Sequence, residues 1–373
     1  MSLLLMLCFV QSWQQGAPMP TPGYGFACAS VGSRVFAVGG LRGGQDSMRP
    51  RPQVEAYNVT RDSWVTGFAP MPVPRGFVGT AVLDGRIYVI GGTDGRADSR
   101  RVDRFDPATN RWDTVAPLPW PRSGLSACTF GGTIYAVGGY SAACQYGYER
   151  TVARFQPDGG LGHWEMVDSL NTPRTGLGVA VSDGRIYAVG GNYYSDLSST
   201  EYYSPDQWWN DPRSMRDARS GLALVGYGGM LCAIGGSNRH GTLASVEMLN
   251  TAAGPWYGAE PLSHPRSYPG AAVVDNKVVV IGGRDARGVV NSVETDSVLL
   301  LGVEETPPLA LPGTRRIPTV ITPRTLLDIG ATADVYDNSG ALIARLPGCL
   351  GLRPGVYFLR QAGTGPVKVT VVR

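Results

Sequence analysis

The sequence predicts an all-β chain in which six four-stranded blades surround one axis and a smaller β domain follows. Three observations carry this expectation: glycine doublets recur six times at near-constant spacing, each follows two apolar runs joined by a tight turn, and a spaced tryptophan recurs with the units. Self-similarity at that period marks a repeat architecture, whose units must bury their faces against one another.

The doublets are Gly39-Gly40, Gly91-Gly92, Gly138-Gly139, Gly190-Gly191, Gly235-Gly236 and Gly282-Gly283, at intervals of 52, 47, 52, 45 and 47 residues. Before each come two strand-like runs, such as Phe77 to Leu83 and Arg86 to Ile90, joined by Asp84-Gly85. Gly131-Gly132, Asp183-Gly184 and Gly228-Gly229 stand at the matching places. Such dipeptides supply the positive φ angles of a two-residue hairpin. A loop then leads to a third strand (Val54-Glu-Ala-Tyr-Asn58, Val102-Asp-Arg-Phe-Asp106, Val246-Glu-Met-Leu-Asn250) and to a fourth that carries Trp64, Trp112, Trp164, Trp209 or Trp256.

Closure of the ring is legible too. Each of these tryptophans lies ten residues before an arginine (eleven for Trp64), and that arginine lies sixteen before the next doublet. Trp13 keeps the same spacing to Gly23 and Gly39, whereas the last unit, ending near Val293-Glu-Thr-Asp296, has no tryptophan of its own. Trp13 is therefore expected to supply the outer strand of blade six, which leaves no open edge between the chain ends.

A Gly-Gly, a following Tyr or Phe and a spaced Trp in units of about 50 residues resemble kelch repeats, here over most of residues 12–303. The resemblance implies a six-bladed propeller used for binding, with the first strand of each blade along a central channel. Arg75, Arg122, Arg174, Arg219 and Arg266 would then stand at the channel mouth, with Gly23 in the sixth place. A ring of guanidinium groups would bind carboxylates and focus positive potential. Equally, an arginine that belongs to the repeat serves to hydrogen-bond carbonyls or acidic side chains between blades.

By the same topology the loops between second and third strands add Arg42, Arg49, Arg51, Arg96, Arg100, Arg239, Arg284 and Arg287 to this face, together with Tyr140, Tyr146, Tyr148, Tyr193 and Tyr194. Arginine beside tyrosine is typical of contact surfaces. The expected ligand is a protein or a glycan, possessing acidic groups in the sharper version of the reading. The alternative is a sugar-acid enzyme similar to the six-bladed kelch sialic-acid mutarotases, with Glu149 or Asp196 as acid or base beside Arg122 and Arg174. No catalytic residue, metal site or cofactor is assigned: His163, His240 and His264 make no ligand set, and no phosphate loop or nucleophile elbow is present.

Beyond Val303, residues 304–324 hold Pro307, Pro308, Pro312, Pro318 and Pro323 and read as a linker. Residues 325–373 read as a small immunoglobulin-like β-sandwich. Val335-Tyr-Asp337, Pro354-Gly-Val-Tyr-Phe358 and the ending Lys368-Val-Thr-Val-Val-Arg373 resemble the C-terminal sorting domain of bacterial type IX secretion substrates, which implies an outer-membrane secretion machine as a partner. Residues 1–11 form an apolar run like the core of a signal peptide, without its charged start. Both ends therefore point to a secreted or cell-surface protein.

Composition bounds the remainder. Charged residues make up 17% and the net charge is +3, with no lysine-rich patch, so nucleic acid is not an expected partner. No run reaches the roughly 18 apolar residues of a membrane span. Cys28, Cys128 and Cys232 fall in strand-like runs as buried thiols, Cys8 lies in the leader-like run, and a Cys144–Cys349 bridge stays open. The propeller is expected to act as a monomer.

Overall fold

The computed structural model describes residues 13–43, 48–142, 144, 147–204 and 207–297, and the strand residues 320–321, 334–336, 342–345, 355–360 and 367–371; at 204, 207–210, 297 and in those last strands it describes backbone alone. The chain divides into two units, Met1–Val298 and Leu299–Arg373.

The first unit is a ring of six antiparallel four-stranded sheets. Blade 1 consists of Ala27–Val31, Arg34–Val38, Val54–Asn58 and Ser63–Val65, and blade 2 of Gly79–Leu83, Arg86–Ile90, Val102–Asp106 and Arg111–Thr114. Blade 3 follows with Ser126–Phe130, Thr133–Tyr140, Tyr148–Gln156 and His163–Ser169, and blade 4 with Gly178–Ser182, Arg185–Val189, Thr200–Ser204 and Gln207–Asp211. Blade 5 is Ala223–Tyr227, Met230–Ile234, Val246–Asn250 and Tyr257–Ala259. Blade 6 joins Gly270–Val274, Lys277–Ile281 and Val293–Ser297 to the N-terminal strand Gln14–Gly16. The expected closure is thus observed, with Gln14 opposite Thr295 and Gly16 opposite Val293.

The local chemistry explains these sheets. At Asp84 and Gly85 φ is 51° and 71°, as a two-residue hairpin with matching twist requires. Second strands such as Arg86–Ile90 are buried after their first residue because both faces are covered by neighbouring blades. One core cluster accordingly joins Tyr88 and Ile90 of blade 2 to Leu125, Ile134 and Phe155 of blade 3, and another joins Val35 and Tyr57 of blade 1 to Val279 and Ile281 of blade 6. Each such apolar side chain contributes about 1.5–3 kcal/mol on burial.

Hydrogen bonds reinforce these seams. The second glycine of each doublet donates its N–H to the carbonyl of the next blade's arginine: Gly40 to Arg75 at 2.7 Å, then Gly92 to Arg122, Gly139 to Arg174, Gly191 to Arg219 and Gly236 to Arg266, each at 2.9 Å. Gly283 completes the set on Gly23 at 3.0 Å. A Cβ on Gly92 would stand 2.6 Å from the Gly76 carbonyl oxygen, and φ there is 93°, so only glycine fits this clasp. Further out, the indoles of Trp13, Trp64, Trp112 and Trp164 donate across the seams to the carbonyls of Glu260, Ala17, Ala69 and Ala116 at 2.8–2.9 Å.

In the second unit, Val320–Ile321, Val367–Val371, Gly355–Arg360, Asp334–Tyr336 and Leu342–Arg345 lie in that order in one sheet, the first pair parallel and the others antiparallel. The leader-like run 1–11, Cys8, Tyr146, Cys349 and all of the linker except residues 320–321 lie outside the described residues.

Candidate functional site

The arginines of the repeat do not form an open ring. Arg75, Arg122, Arg174, Arg219 and Arg266 are at most 1% exposed. Each guanidinium turns back into its own blade and donates to the carbonyl of the first doublet glycine, from Arg75 to Gly91 at 2.8 Å through Arg266 to Gly282 at 3.1 Å. Four also meet a carboxylate one residue into the third strand: Arg75 with Asp103 at 2.9 Å, Arg174 with Glu201 and Arg219 with Glu247 at 2.6 Å, and Arg266 with Glu294. Burial pulls the affinity of these arginines for their proton down while the carboxylate beside each pulls it up. Buried cations that are paired and hydrogen-bonded hold a fold together and have no face for a ligand. The expectation that these five residues ring the mouth as ligand contacts is corrected accordingly.

Blade 1 supplies its missing arginine from elsewhere. Arg51, expected as a loop arginine on the face, is fully buried and lies over Gly23. It donates to the Thr21 carbonyl and pairs with Glu55 at 2.9 Å. The acidic residue at a fixed place in the third strands was the sequence signal for these pairs.

Blade 3 breaks the pattern. Ala153 stands opposite Ala136, the register held by Glu201 opposite Ala188 in blade 4. Arg122 keeps its carbonyl bonds, yet its Nε and Nη2 have no hydrogen-bond partner, and burial pushes its affinity down to about 10. Glu149 is directed to Trp120 Nε1 at 2.8 Å, Cys144 Sγ at 2.7 Å and Thr151 Oγ1 at 2.9 Å. With Arg122 and Arg174 enclosed and Glu149 2% exposed, the pairing that a sugar-acid enzyme would use is not assembled on an accessible surface. Asp196 accepts from Ser220 at 2.8 Å and from Asn192 at 3.3 Å.

Two residues beyond the ring position, the backbone draws a second ring around the axis. Phe77 N–H donates to Gly25, Gly124 to Phe77, Gly176 to Gly124, Gly221 to Gly176, Tyr268 to Gly221 and Gly25 to Tyr268, at 2.7–3.0 Å. All six residues have φ between 51° and 61°. Four are glycine. Phe77 and Tyr268 hold the same left-handed conformation with bulky side chains, a strain that commonly marks a functional position. Their rings meet edge to face at 4.7 Å and lie over Gly25 and Gly221. They stand at the edge of a cavity of about 170 Å³ lined by the first strands.

Around this mouth run the positions where the repeats differ from one another. The residues following the doublets are Leu41, Thr93, Tyr140, Asn192, Ser237 and Arg284, each bridged to the residue after the ring position. Tyr140 contacts Tyr148 at 6.1 Å, Tyr148 contacts Tyr193 and Tyr194 at 5.4 and 5.2 Å, and the latter two meet at 4.7 Å. Tyr194 is 67% exposed. The expected tyrosine group is therefore brought together across blades 3 and 4. Tyr148 continues it inward by donating to Asn192, which reaches Asp196. On the far side of the mouth Arg284 lies 4.9 Å from the ring of Tyr24 and 5.7 Å from that of Tyr268. Arg96 and Arg239 are exposed on separate loops, and Arg239 donates to His240. Among the described residues no three His, Cys, Asp or Glu side chains group as metal ligands.

Comparison with known proteins agrees with this geometry. The family described as "KLHDC2/KLHL20/DRC7 Kelch-repeats domain" matches residues 8–191, and the Kelch motif matches residues 173–210 and 265–295. The chain is similar to Kelch-like protein 23 of Homo sapiens, 28% identical over 65% of this chain and 43% of that protein. It is similar also to Kelch-like protein terF of Aspergillus terreus, 27% identical over 69% and 60% respectively. A shorter stretch is 33% identical to Kelch-like ECH-associated protein 1B of Danio rerio, over 22% of this chain and 14% of that one. The chain spans between about two fifths and three fifths of the length of the first two relatives. The repeats in sequence, the six closed sheets and these similarities make the chain a kelch-repeat six-bladed β-propeller.

Proposed function

We propose that the protein is a recognition module that binds a partner protein on the loop face around the channel mouth. One observation carries the reading: the cluster of the exposed Tyr140 and Tyr194 with the half-buried Tyr148 and Tyr193 lies where the six repeats diverge, while the features they share are taken up in the scaffold. Clustered tyrosines offer large, amphipathic contact area at low entropic cost, the composition of binding hot spots. Similarity to a relative whose name describes it as ECH-associated supports a protein as the ligand class. A glycan is the other ligand expected from the sequence, since sugars also stack on tyrosine.

The test is capture by the immobilised full chain and by a Tyr148→Ala, Tyr194→Ser variant, from extracts and on glycan arrays. Proteins held by the native face and lost by the variant support the reading; equal capture by both overturns it, and selective glycan capture replaces the ligand class. Export rests on the sequence of residues 1–11 and 325–373 alone and is tested by locating the chain with and without residues 325–373 in its host.

A further inference from the structure

We propose that blade 3 holds a small monovalent anion of the size of chloride against Arg122, at the place where every other blade puts a carboxylate of its own third strand. Arg51, Arg75, Arg174, Arg219 and Arg266 each meet such a carboxylate, from Glu55, Asp103, Glu201, Glu247 and Glu294. Those five acidic residues share one register, opposite Ala37, Val89, Ala188, Ala233 and Val280 of the second strands. In blade 3 the residue in that register is Ala153, opposite Ala136, so the strand offers Arg122 only a methyl group.

The guanidinium is seated as its counterparts are. Arg122 Nη1 donates to the carbonyls of Gly138 and Thr151 at 3.2 and 3.3 Å, as Nη1 of Arg174 does to Gly190 and Ser199 and that of Arg219 to Gly235 and Ser245. Nη2 is the atom that holds Glu201 and Glu247 at 2.6 Å in blades 4 and 5. At Arg122 that atom and Nε have no hydrogen-bond partner, although the side chain is fully buried. An enclosed cation with unmatched donors is costly, and an anion at the carboxylate place answers both the charge and the donors. Relative to glutamate, Ala153 lacks two carbons and two oxygens, a group larger than one chloride ion.

Glu149 does not take this part. It acts on Arg122 electrostatically, but its oxygens accept from Trp120 Nε1, Cys144 Sγ and Thr151 Oγ1, and among the described residues no carboxylate pairs with Arg122. Those three donors spread the Glu149 charge. A second anion beside a buried guanidinium of this repeat has a precedent in blade 5, where Arg219 meets both Glu247 at 2.6 Å and the exposed Asp217 at 3.6 Å. Sulfate and phosphate, with more charge and four oxygens, suit neither this balance nor the enclosure by the Trp120 ring, 5.2 Å from the guanidinium.

The experiment uses the full chain, dialysed free of halide, with thermal unfolding followed in sodium chloride and in sodium gluconate at equal ionic strength. Chloride at ten times its dissociation constant is expected to raise the melting temperature by roughly 2–4 °C. Ala153→Glu, which brings its own carboxylate to Arg122, should remove that difference, and Arg239→Gln on an exposed loop should keep it. A second measurement needs no variant: crystals grown in bromide should show an anomalous peak within hydrogen-bond distance of Arg122 Nη2. Equal melting in both salts, a chloride shift that survives Ala153→Glu or is lost in Arg239→Gln, or water alone beside Arg122 in the bromide crystals each overturns the proposal.

Discussion

Arg51 occupies the place of a side chain that residue 23 does not have: its Nη1 lies 2.5 Å from where a Cβ on Gly23 would stand. Five blades take a guanidinium from the residue four places before the first strand, and blade 1 takes it from a loop residue 28 positions after Gly23. The pairing with a third-strand carboxylate is preserved while the donor residue changes and the Thr21 carbonyl replaces that of the doublet glycine as acceptor.

That relationship predicts a coupled pair. The backbone at Gly23 is not left-handed, so arginine can occupy it. Gly23→Arg alone is expected to destabilise the native chain by about 1–3 kcal/mol through overpacking against Arg51. Combined with Arg51→Ser it should recover most of that loss, giving a positive coupling in a urea double-mutant cycle. Additive effects would show that the two residues do not share one place.

Breaking a buried pair from one side should be severe. Glu201→Gln keeps one acceptor oxygen, sets its amide NH2 against the other of the Asn171 and Thr172 N–H groups, and leaves the enclosed Arg174 cation unneutralised. The expected loss is about 3–5 kcal/mol in denaturant unfolding. A loss below about 1 kcal/mol would mean that solvent reaches this guanidinium.

Blade 3 predicts the opposite sign. Ala153→Glu returns a carboxylate to the register of the other third strands, opposite Ala136 and within the blade of Arg122. A raised melting temperature is expected in the native background and a lowered one beside Arg122→Met, where the new carboxylate would be buried without a partner. The same sign in both backgrounds would exclude pairing with Arg122.

At the mouth, Phe77 has φ of 53°. Alanine there loses the ring and keeps the strain of a Cβ, whereas glycine loses the ring and releases it. Phe77→Gly should therefore be more stable than Phe77→Ala by about 1 kcal/mol, the reverse of the order in an ordinary strand. Thermal unfolding of the two variants decides the matter.

Alkali should weaken the fold. Burial pushes the thiols of Cys128 and Cys232 up to about 12 from 9.0. A folded value above the unfolded one means that the unfolded chain loses protons first, so their contribution is whole below pH 9 and is lost as pH rises toward 12. Unfolding free energy should fall across that window. Cys128→Ala with Cys232→Ala should flatten the slope by up to about 1.4 kcal/mol per pH unit for each thiol. An unchanged slope would assign the alkaline loss to other groups.

The fold was legible because its signals are local and periodic: the doublets, the Asp-Gly turns and the displaced Trp13 each state a constraint within one unit. The fate of the arginines was legible only in part. Their spacing marked them as belonging to the repeat, but whether Arg174 faces solvent or Glu201 depends on how far the third strand runs alongside the second, a tertiary fact. Arg51 was harder still, since it lies in a loop whose length no other blade shares. The tyrosine group was found because exposed aromatics in adjacent loops of one topology converge. Arg284 was named as a contact, but its setting between Tyr24 and Tyr268 depends on rings contributed by different blades.

The pairing of Gln14–Gly16 with Val293–Ser297 also sets a timetable. These strands lie about 280 residues apart, and at roughly 5–20 residues per second a ribosome needs on the order of tens of seconds to make the second after the first. Throughout that interval Gln14–Gly16 has no companion, and the seam between blades 1 and 6 presents apolar surface to whatever else the cell contains. Nascent chains are thus vulnerable at this seam until the sixth blade is made and shelters it.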